Sequence, residues 1–183
     1  VDDLTWRFTI REGVKFHNGA TMTAEDVAFS IGQERIWGED SMVPIGKRYT
    51  ASFAAVEAID ETTVEIKTEI NDPNLPFRFI TPLGYVVPKD HYLEVGAEAF
   101  GQMPIGTGPY MVTGYDATGF IKLTAFDDYW GGTPPLKSVE FRAVPEYSAR
   151  IAGVVAGDLQ MMSDIPVDEV ETVKGYDDVT YIS

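Results

Sequence analysis

Residues 4–30 constrain the fold more than any other stretch of the chain. Apolar side chains stand at every second position at Trp6, Phe8 and Ile10, with polar residues between them. That alternation predicts a β-strand with one face buried. Gly13 allows a turn, after which a short extended segment resumes. The beginning of the chain therefore predicts a strand followed by a tight reversal.

The second half of this stretch predicts the start of a helix. Asn18 and Gly19 form the dipeptide that best tolerates positive φ, so they mark a turn. Thr23 follows as a candidate N-cap. Glu25 and Asp26 lie in the first helical turn, where the helix dipole favours negative charge. The order strand, turn and capped helix is the most specific local pattern in the sequence.

Length and composition indicate a folded domain without a membrane span. The chain has 183 residues with 44% hydrophobic side chains, enough for one good core or two small cores that share a sheet. No run approaches the roughly 20 apolar residues of a membrane helix. No signal-peptide pattern is visible, and the first residue is Val1 rather than Met. We therefore expect an N-terminus that has been processed or cut.

The charge balance excludes one class of partner. Fourteen Lys and Arg residues stand against 29 Asp and Glu residues, which gives a net charge of −15. Nucleic-acid binding requires clustered cations, so it is disfavoured, and the acidity is typical of a soluble protein. The chain has no Cys, which excludes disulfides and thiol chemistry and is compatible with an oxidising compartment.

The rest of the chain predicts alternating strands, loops and short helices. Before residue 104 we expect a loop at 37–48, a hairpin from 53–59 and 64–67, a loop at 71–76, and a short helix opened by Pro88. After residue 104 we expect a hairpin from 110–115 and 120–126 and a strand at 139–143. A helix capped by Ser148 that stops at Gly157, a short helix at 167–174 and the beginning of a strand at 179–182 should follow.

Motifs for chemistry are weak. Gly106-Thr107-Gly108 lacks the third glycine of a dinucleotide fingerprint and is followed by Pro109, so it predicts a tight crossover rather than a nucleotide site. His17 and His91, the only histidines, lack the neighbours of a metal site; His17 is interpreted as holding a turn. Adjacent carboxylates are interpreted as solvated surface. We predict no catalytic residue, metal or cofactor.

Aromatic side chains beside loops leave two interpretations open. Tyr49, Phe77, Phe79 and Tyr85 lie in or near loops, where they either line a binding cleft or belong to the core. Trp130 lies in a loop rich in Gly and Pro, and we expect it to be a buried anchor that pins this turn against the preceding hairpin.

Four blocks of sequence resemble one known family. They are residues 4–30, the hairpin 56–67, residues 104–110 (PIGTGPY), and residues 129–157, where a Tyr-Trp-Gly loop precedes a strand and a Ser-Ala-Arg helix. In this order they resemble the family-5 extracellular solute-binding proteins. These are the peptide-, oligopeptide- and nickel-binding receptors of bacterial ABC importers.

The resemblance implies a fold and a domain organisation. The fold class would be α/β of the mixed α+β kind: a periplasmic-binding-protein type II-like lobe with an inserted small α+β domain. Residues 1–103 would be most of the small extra domain, truncated at its N-terminus. Residues 104–183 would be part of the first main lobe, ending near the hinge. The second lobe would be absent, so we expect the chain to be a fragment.

The resemblance also implies a function and a location. The chain would be part of a non-enzymatic receptor, periplasmic or extracellular and associated with the cell envelope, without direct membrane insertion. It would capture a peptide or a related small solute by closure of two lobes and deliver it to an ABC permease. A carbohydrate or peptide hydrolase and a structural interaction module remain as alternatives. Peptide, glutathione, sugar, opine and nickel-chelate receptors share these blocks, so the solute is left open.

The resemblance identifies candidate ligand residues by region, in two segments, rather than by an exact motif match. These are Met42, Pro44, Arg48 and Tyr49 in the loop after the first helix, and Leu83 and Tyr85 in the segment after the prolines. Arg48 is the candidate partner for a ligand carboxylate. A surface cation that balances an acidic protein is the equally weighted alternative.

Overall fold

The computed structural model describes residues 2–39, 41, 43 and 46–182. The strands are β1 (Thr5–Thr9), β2 (Phe53–Ala58), β3 (Thr63–Thr68), β4 (Tyr110–Asp116), β5 (Phe120–Ala125) and β6 (Ser138–Arg142). The α-helices are α1 (Ala24–Ile31), α2 (Gly46–Tyr49), α3 (Leu75–Arg78), α4 (Lys89–Gln102), α5 (Tyr147–Val155) and α6 (Val170–Lys174). A π-helical turn spans Gln33–Trp37, and 3-10 turns span Pro82–Gly84 and Val167–Glu169.

The chain divides into two compact units. The first consists of Val1–Tyr115 with Lys122–Glu140, and the second of Asp116–Ile121 with Phe141–Ser183. These two units are defined by how the residues of this chain pack with one another. The predicted boundary after residue 103 concerns the domains of a longer receptor, and it stays a prediction.

The first sheet confirms the predicted strand and hairpin. Its order is β1-β3-β2, and both pairings are antiparallel. Trp6 pairs with Ile66 and Phe8 with Val64, which aligns the apolar residues of β1 and β3 on one face. Glu65 points to the other face, yet it is buried, because Arg7 lies over it with its Nε atom 2.7 Å from Oε2. The guanidinium of Arg7 thus pairs with a carboxylate that is largely removed from solvent.

The predicted start of α1 is also confirmed. Thr23 is the N-cap, its Oγ1 accepts the backbone N–H of Asp26, and the Asp26 carboxylate in turn accepts the backbone N–H of Thr23. This reciprocal arrangement is a capping box, which satisfies two otherwise unpaired donors. Gly13 and Gly19 have φ of 71° and 86°, the left-handed conformations that the two turns require.

The main hydrophobic core lies between the first sheet and the helical segments that follow β1. Apolar residues of α1, the π-helical turn and the segment 75–83 pack on the inner face of the sheet. The buried members are Ala24, Ile31, Ile36, Phe53, Val64, Ile66, Leu75 and Leu83. A smaller cluster of Phe29, Val87 and Phe100, with Tyr92 beside them, joins α1 to α4.

Two predicted loops contain helical turns that the sequence pattern misses. The stretch 37–48 includes the end of the π-helical turn and most of α2, and the stretch 71–76 includes the start of α3. Both helices have only four residues, too few for apolar periodicity to be detected. Gly46 in α2 is buried against Ile36, and such close approach depends on the missing side chain.

The helix after Pro88 is longer than predicted. Pro88 is its N-cap rather than its first helical residue, and the assigned helix continues to Gln102 across a break at Gly96, where φ is 80°. The aromatic rings of Tyr92 and Phe100 lie 5.0 Å apart and hold the two halves against the smaller cluster. Packing between these rings therefore stabilises the helical segments on both sides of the break.

The second sheet and the second unit confirm some predictions and correct others. The sheet order is β4-β5-β6, and the predicted hairpin and third strand are present. Helix α5 begins after Glu146 rather than at Ser148, and no side chain caps it. Gly157 adopts φ 81° just beyond its end, as predicted. Residues 179–182 form no strand, because no described strand offers them a ladder partner.

The predicted role of Trp130 is wrong. Its side chain is half exposed, and it lies against the Arg11 guanidinium, whose carbon is 4.8 Å from the ring centroid. The buried aromatic residue of this loop is Phe126, which packs edge-on against the His17 ring at 5.1 Å. The ring of Phe126, rather than that of Trp130, is therefore the buried anchor beside this loop.

Candidate ligand-binding site

The structure places the predicted ligand residues in different environments. Met42 and Pro44 lie outside the described residues. Arg48 is exposed at the end of α2, and Tyr49 is half-buried against the main core. Leu83 is 3% exposed and belongs to that core, whereas Tyr85 is 68% exposed.

A buried carboxylate connects the two predicted segments. The Ser52 hydroxyl donates to Asp72 Oδ2 at 2.6 Å, and Arg78 approaches the same oxygen with Nε at 2.9 Å and Nη2 at 2.7 Å. The side chain of Asp72 is only 7% exposed, against 27% for Arg78. We call this arrangement of Ser52, Asp72 and Arg78 the carboxylate clasp.

The clasp determines the ionisation of Asp72. Burial by itself raises the pKa of this carboxyl group. The hydrogen bonds from Ser52 and Arg78, together with the positive charge of Arg78, outweigh that effect, so the pKa of Asp72 lies below its usual range. Asp72 is therefore charged at neutral pH, and its charge is compensated inside the fold.

The clasp also orders the backbone on both sides. Arg78 Nη1 donates to the carbonyl oxygen of Tyr49 at 3.0 Å, which fixes the end of α2. On the other side the hydroxyl of Thr81 donates to the Arg78 carbonyl and accepts the N–H of Leu83 at 3.3 Å. A continuous series of hydrogen bonds therefore runs from Tyr49 to the 3-10 turn that precedes Tyr85.

Apolar side chains project from this ordered segment into solvent. Phe77, Ile80 and Tyr85 are all strongly exposed. Phe79, between them, packs edge-on against Phe8 at 5.4 Å between ring centroids. Of the four loop aromatics that the sequence left open, Phe79 and Tyr49 thus contact the core, and Phe77 and Tyr85 do not.

Arg48 is the charged member of the predicted set. It is exposed, and none of the residues that the structure describes forms an ion pair with it. An exposed guanidinium that pairs with no carboxylate of the described residues can receive a ligand carboxylate.

A concave region lies elsewhere in the first unit. It is an open acidic cleft of about 490 Å³ whose lining includes Glu25, Asp26, Asp60 and Lys89. These groups already have intramolecular partners: Asp26 completes the capping box, Glu25 lies 3.5 Å from Lys89, and Asp60 accepts the N–H of Thr62. Within the described part of the chain, no cluster of His, Asp and Glu has the geometry of a metal site.

Sequence reasoning missed the carboxylate clasp. Ser52 and Asp72 are distant in sequence, and nothing in their local patterns marks them as partners. The only available signal was an Asp beside a Pro in a predicted loop, with an Arg shortly after it. Loop carboxylates of this kind are common on surfaces, so the pattern did not distinguish a buried one.

Comparison with known proteins identifies the family. The family described as "Bacterial extracellular solute-binding proteins, family 5 Middle" matches residues 1–183. The glutathione-binding protein GsiB of Pectobacterium atrosepticum is 28% identical over 100% of this chain, and the match covers 35% of that protein. GsiB of Salmonella paratyphi A is 32% identical over 92% of this chain and 32% of its own length. The chain thus spans about a third of the curated relatives it matches.

Solved structures agree with the sequence relatives. The oligopeptide-binding protein AppA from Bacillus subtilis, in complex with a nonapeptide, superposes with a TM-score of 0.82 at 26% identity over 96% of this chain and 35% of that chain. This confirms the predicted periplasmic-binding-protein fold. The matched proteins are named as binding proteins, so the hydrolase interpretation finds no support. No helix among the described residues has the length and apolar character needed to cross a bilayer. The chain belongs to the bacterial extracellular solute-binding proteins of family 5.

Proposed function

We propose that this chain forms part of the receptor of an ABC importer, and that the clasped segment presents Arg48, Tyr49 and Tyr85 to a peptide-class solute. The carboxylate clasp is the observation that carries the proposal. A receptor surface needs side chains whose positions are fixed before the ligand arrives. The clasp orders the backbone around Tyr49 and up to Tyr85 without using either side chain.

The chemistry of the exposed groups fits a peptide. A guanidinium pairs with a carboxylate through charge-assisted hydrogen bonds, and aromatic side chains pack against apolar parts of a ligand. GsiB is named as a glutathione-binding protein, and AppA is bound to a nonapeptide. Both ligands are peptides and carry carboxylate groups. By this argument Arg48 receives the carboxylate, while Tyr49 and Tyr85 pack against the rest of the solute.

The proposal changes the predicted set of ligand residues in one respect. Leu83 lies inside the main core, so we assign it the role of supporting the turn before Tyr85 rather than contacting the solute. Met42 and Pro44 stay in the set on the sequence resemblance alone. Residues 1–103 and 104–183 are proposed to belong to the small domain and the main lobe of the first half of the receptor.

The mechanism would be closure of two lobes around the solute. A ligand stabilises the closed state only by binding it more tightly than the open one. Arg48, Tyr49 and Tyr85 would supply contacts from one side of the cleft, and parts of the full-length protein outside these residues would supply the others. The closed receptor would then be recognised by a membrane permease outside the cytoplasm.

Calorimetric titration of the full-length protein with reduced glutathione, a tripeptide and a nonapeptide tests this proposal. Arg48→Gln removes the proposed carboxylate partner, and Lys47→Gln removes the neighbouring exposed cation of α2 as a matched control. A charge-assisted hydrogen bond contributes about 1.5–3 kcal/mol, so we expect Arg48→Gln to weaken binding by about tenfold or more. Lys47→Gln should leave binding unchanged within about twofold, because an exposed surface charge without a direct partner in the solute contributes little. Equal effects of both variants, or no binding of any peptide, would refute the proposal.

A further inference from the structure

The ring of His17 bridges two segments that are far apart in sequence. Its Nδ1 lies 3.2 Å from the backbone nitrogen of Gly106, and its Nε2 lies 3.0 Å from the carbonyl oxygen of Gly108. The backbone N–H of His17 also donates to the Gly106 carbonyl at 2.9 Å. We call these three hydrogen bonds between His17 and the segment 104–108 the histidine latch.

The partners of the ring determine its protonation state. A backbone N–H can only donate, so Nδ1 must be unprotonated to accept from Gly106. A carbonyl oxygen can only accept, so Nε2 must carry the proton that it donates to Gly108. The latch therefore requires the neutral imidazole in a single tautomer.

Protonation is incompatible with this geometry. A proton added at Nδ1 replaces a lone pair by a second donor that points at the Gly106 N–H. The hydrogen bond to Gly106 is then lost, and two donors face each other. The bond from Nε2 to Gly108 remains and is strengthened by the positive charge of the ring, so the ring stays attached at that end only.

Among the described residues, no carboxylate forms an ion pair with the His17 ring. His17 lies in a short hairpin closed by the antiparallel bridge between Lys15 and Thr21, and Lys15 pairs with Asp128 at 2.7 Å. Asp127 and Asp128 follow Phe126, the residue whose ring packs against His17, and both are exposed. The segment 104–108, Pro-Ile-Gly-Thr-Gly, has no charged residue.

We propose that the histidine latch is a pH-sensitive joint, which secures residues 104–108 to the hairpin around His17 at neutral pH and loosens them on mild acidification. Histidine is the side chain that ordinarily changes charge between about pH 5 and 8. The device does not depend on which solute is bound. Proteins of an extracellular family meet solvent whose pH varies, so such a joint would respond to the environment directly.

Hydrogen–deuterium exchange of the full-length protein at pH 8.0, 7.0, 6.0 and 5.0 tests the joint. The readout is the protection of the amides in residues 105–108, corrected for the intrinsic pH dependence of exchange. A lost hydrogen bond of about 1 kcal/mol predicts that protection falls about fivefold or more between pH 8 and 5. Equal protection at both ends of the series would overturn the proposal.

Two variants separate the latch from general acid sensitivity. In His17→Asn the side-chain oxygen takes the place of Nδ1 and accepts from Gly106 without titrating, so protection of this segment should become independent of pH. His91→Asn changes the other histidine, which packs beside Phe100 outside the latch, and should retain the pH response of the unmodified protein. A pH response that persists in His17→Asn, or disappears in His91→Asn, would contradict the assignment.

Discussion

Asp72→Asn tests whether the carboxylate clasp holds the candidate site. The substitution keeps the shape of the side chain but removes its charge, so the two approaches of Arg78 to Oδ2, at 2.9 and 2.7 Å, lose their ionic character. Breaking a fully buried ion pair costs about 3–5 kcal/mol. Arg78 is 27% exposed and regains part of its hydration, so we expect about 2–3 kcal/mol here.

The matched control is Asp128→Asn. The Lys15–Asp128 pair has the same 2.7 Å separation as the closest Arg78–Asp72 contact, but the side chain of Asp128 is 58% exposed. Exposed ion pairs contribute about 0–1 kcal/mol. The two variants therefore undergo the same chemical change at the same distance, and they differ chiefly in burial.

Hydrogen exchange of the backbone amides of Thr50 and Phe53 provides the assay. These amides are bonded to Gly46 and Thr50 respectively, and they report local opening of the segment that the clasp orders. A loss of 2–3 kcal/mol corresponds to a fall in protection of about 30- to 150-fold, since each tenfold factor equals about 1.4 kcal/mol. A change below threefold, or the same change in Asp128→Asn as in Asp72→Asn, would refute the reasoning.

Three further perturbations test other parts of the fold. Thr23→Ala removes half of the capping box and should lower the opening free energy of α1 by about 1 kcal/mol in exchange experiments; no change would mean that the box is not formed. Gly13→Ala places a side chain at an unfavourable positive φ and should lower the thermal midpoint. Gly101→Ala adds a methyl group to a helical site with open space and should raise the midpoint. The reverse order would contradict the assigned backbone conformation. The hydrogen bond from Arg7 lowers the pKa of Glu65, so its stabilisation is present above the ordinary Glu range and lost as pH falls through the lowered pKa. Glu65→Gln should accordingly lower the midpoint at pH 7, and this difference from the unmodified protein should shrink as pH falls below the ordinary Glu range.

The pKa of Asp72 gives the clasp its own pH dependence. Its folded value lies below the unfolded one, so the clasp stabilises the protein fully above the ordinary Asp range, near pH 4, and the effect is lost as pH falls below it. Exchange at Thr50 should therefore rise when the protein is acidified below that range.

Local patterns were sufficient wherever a short stretch of sequence determines its own structure. The alternation of Trp6, Phe8 and Ile10 predicted β1 and its buried face, and Thr23 predicted the start of α1. Gly13 and Gly19 were correctly assigned to turns because few other residues adopt positive φ. In each case the physical cause lies within a few residues of the feature that it produces.

The remaining features depend on partners that are distant in sequence. Asp72 is buried only because Ser52 and Arg78 satisfy its charge, and the sequence pattern does not show that these residues meet. Trp130 was misassigned because size alone does not determine burial: Phe126, which precedes the same loop, is the buried ring. Four-residue helices such as α2 are stabilised by tertiary packing rather than by periodicity.

Native mass spectrometry of the gently purified full-length protein tests the central claim most directly. We expect a non-covalent small-molecule adduct, of peptide class and with a free carboxylate, that is lost on denaturation. The same adduct should be strongly depleted in Arg48→Gln and retained in Lys47→Gln. A protein that carries no adduct, and acquires none when glutathione, a tripeptide or a nonapeptide is supplied, would contradict a receptor for peptide-class solutes.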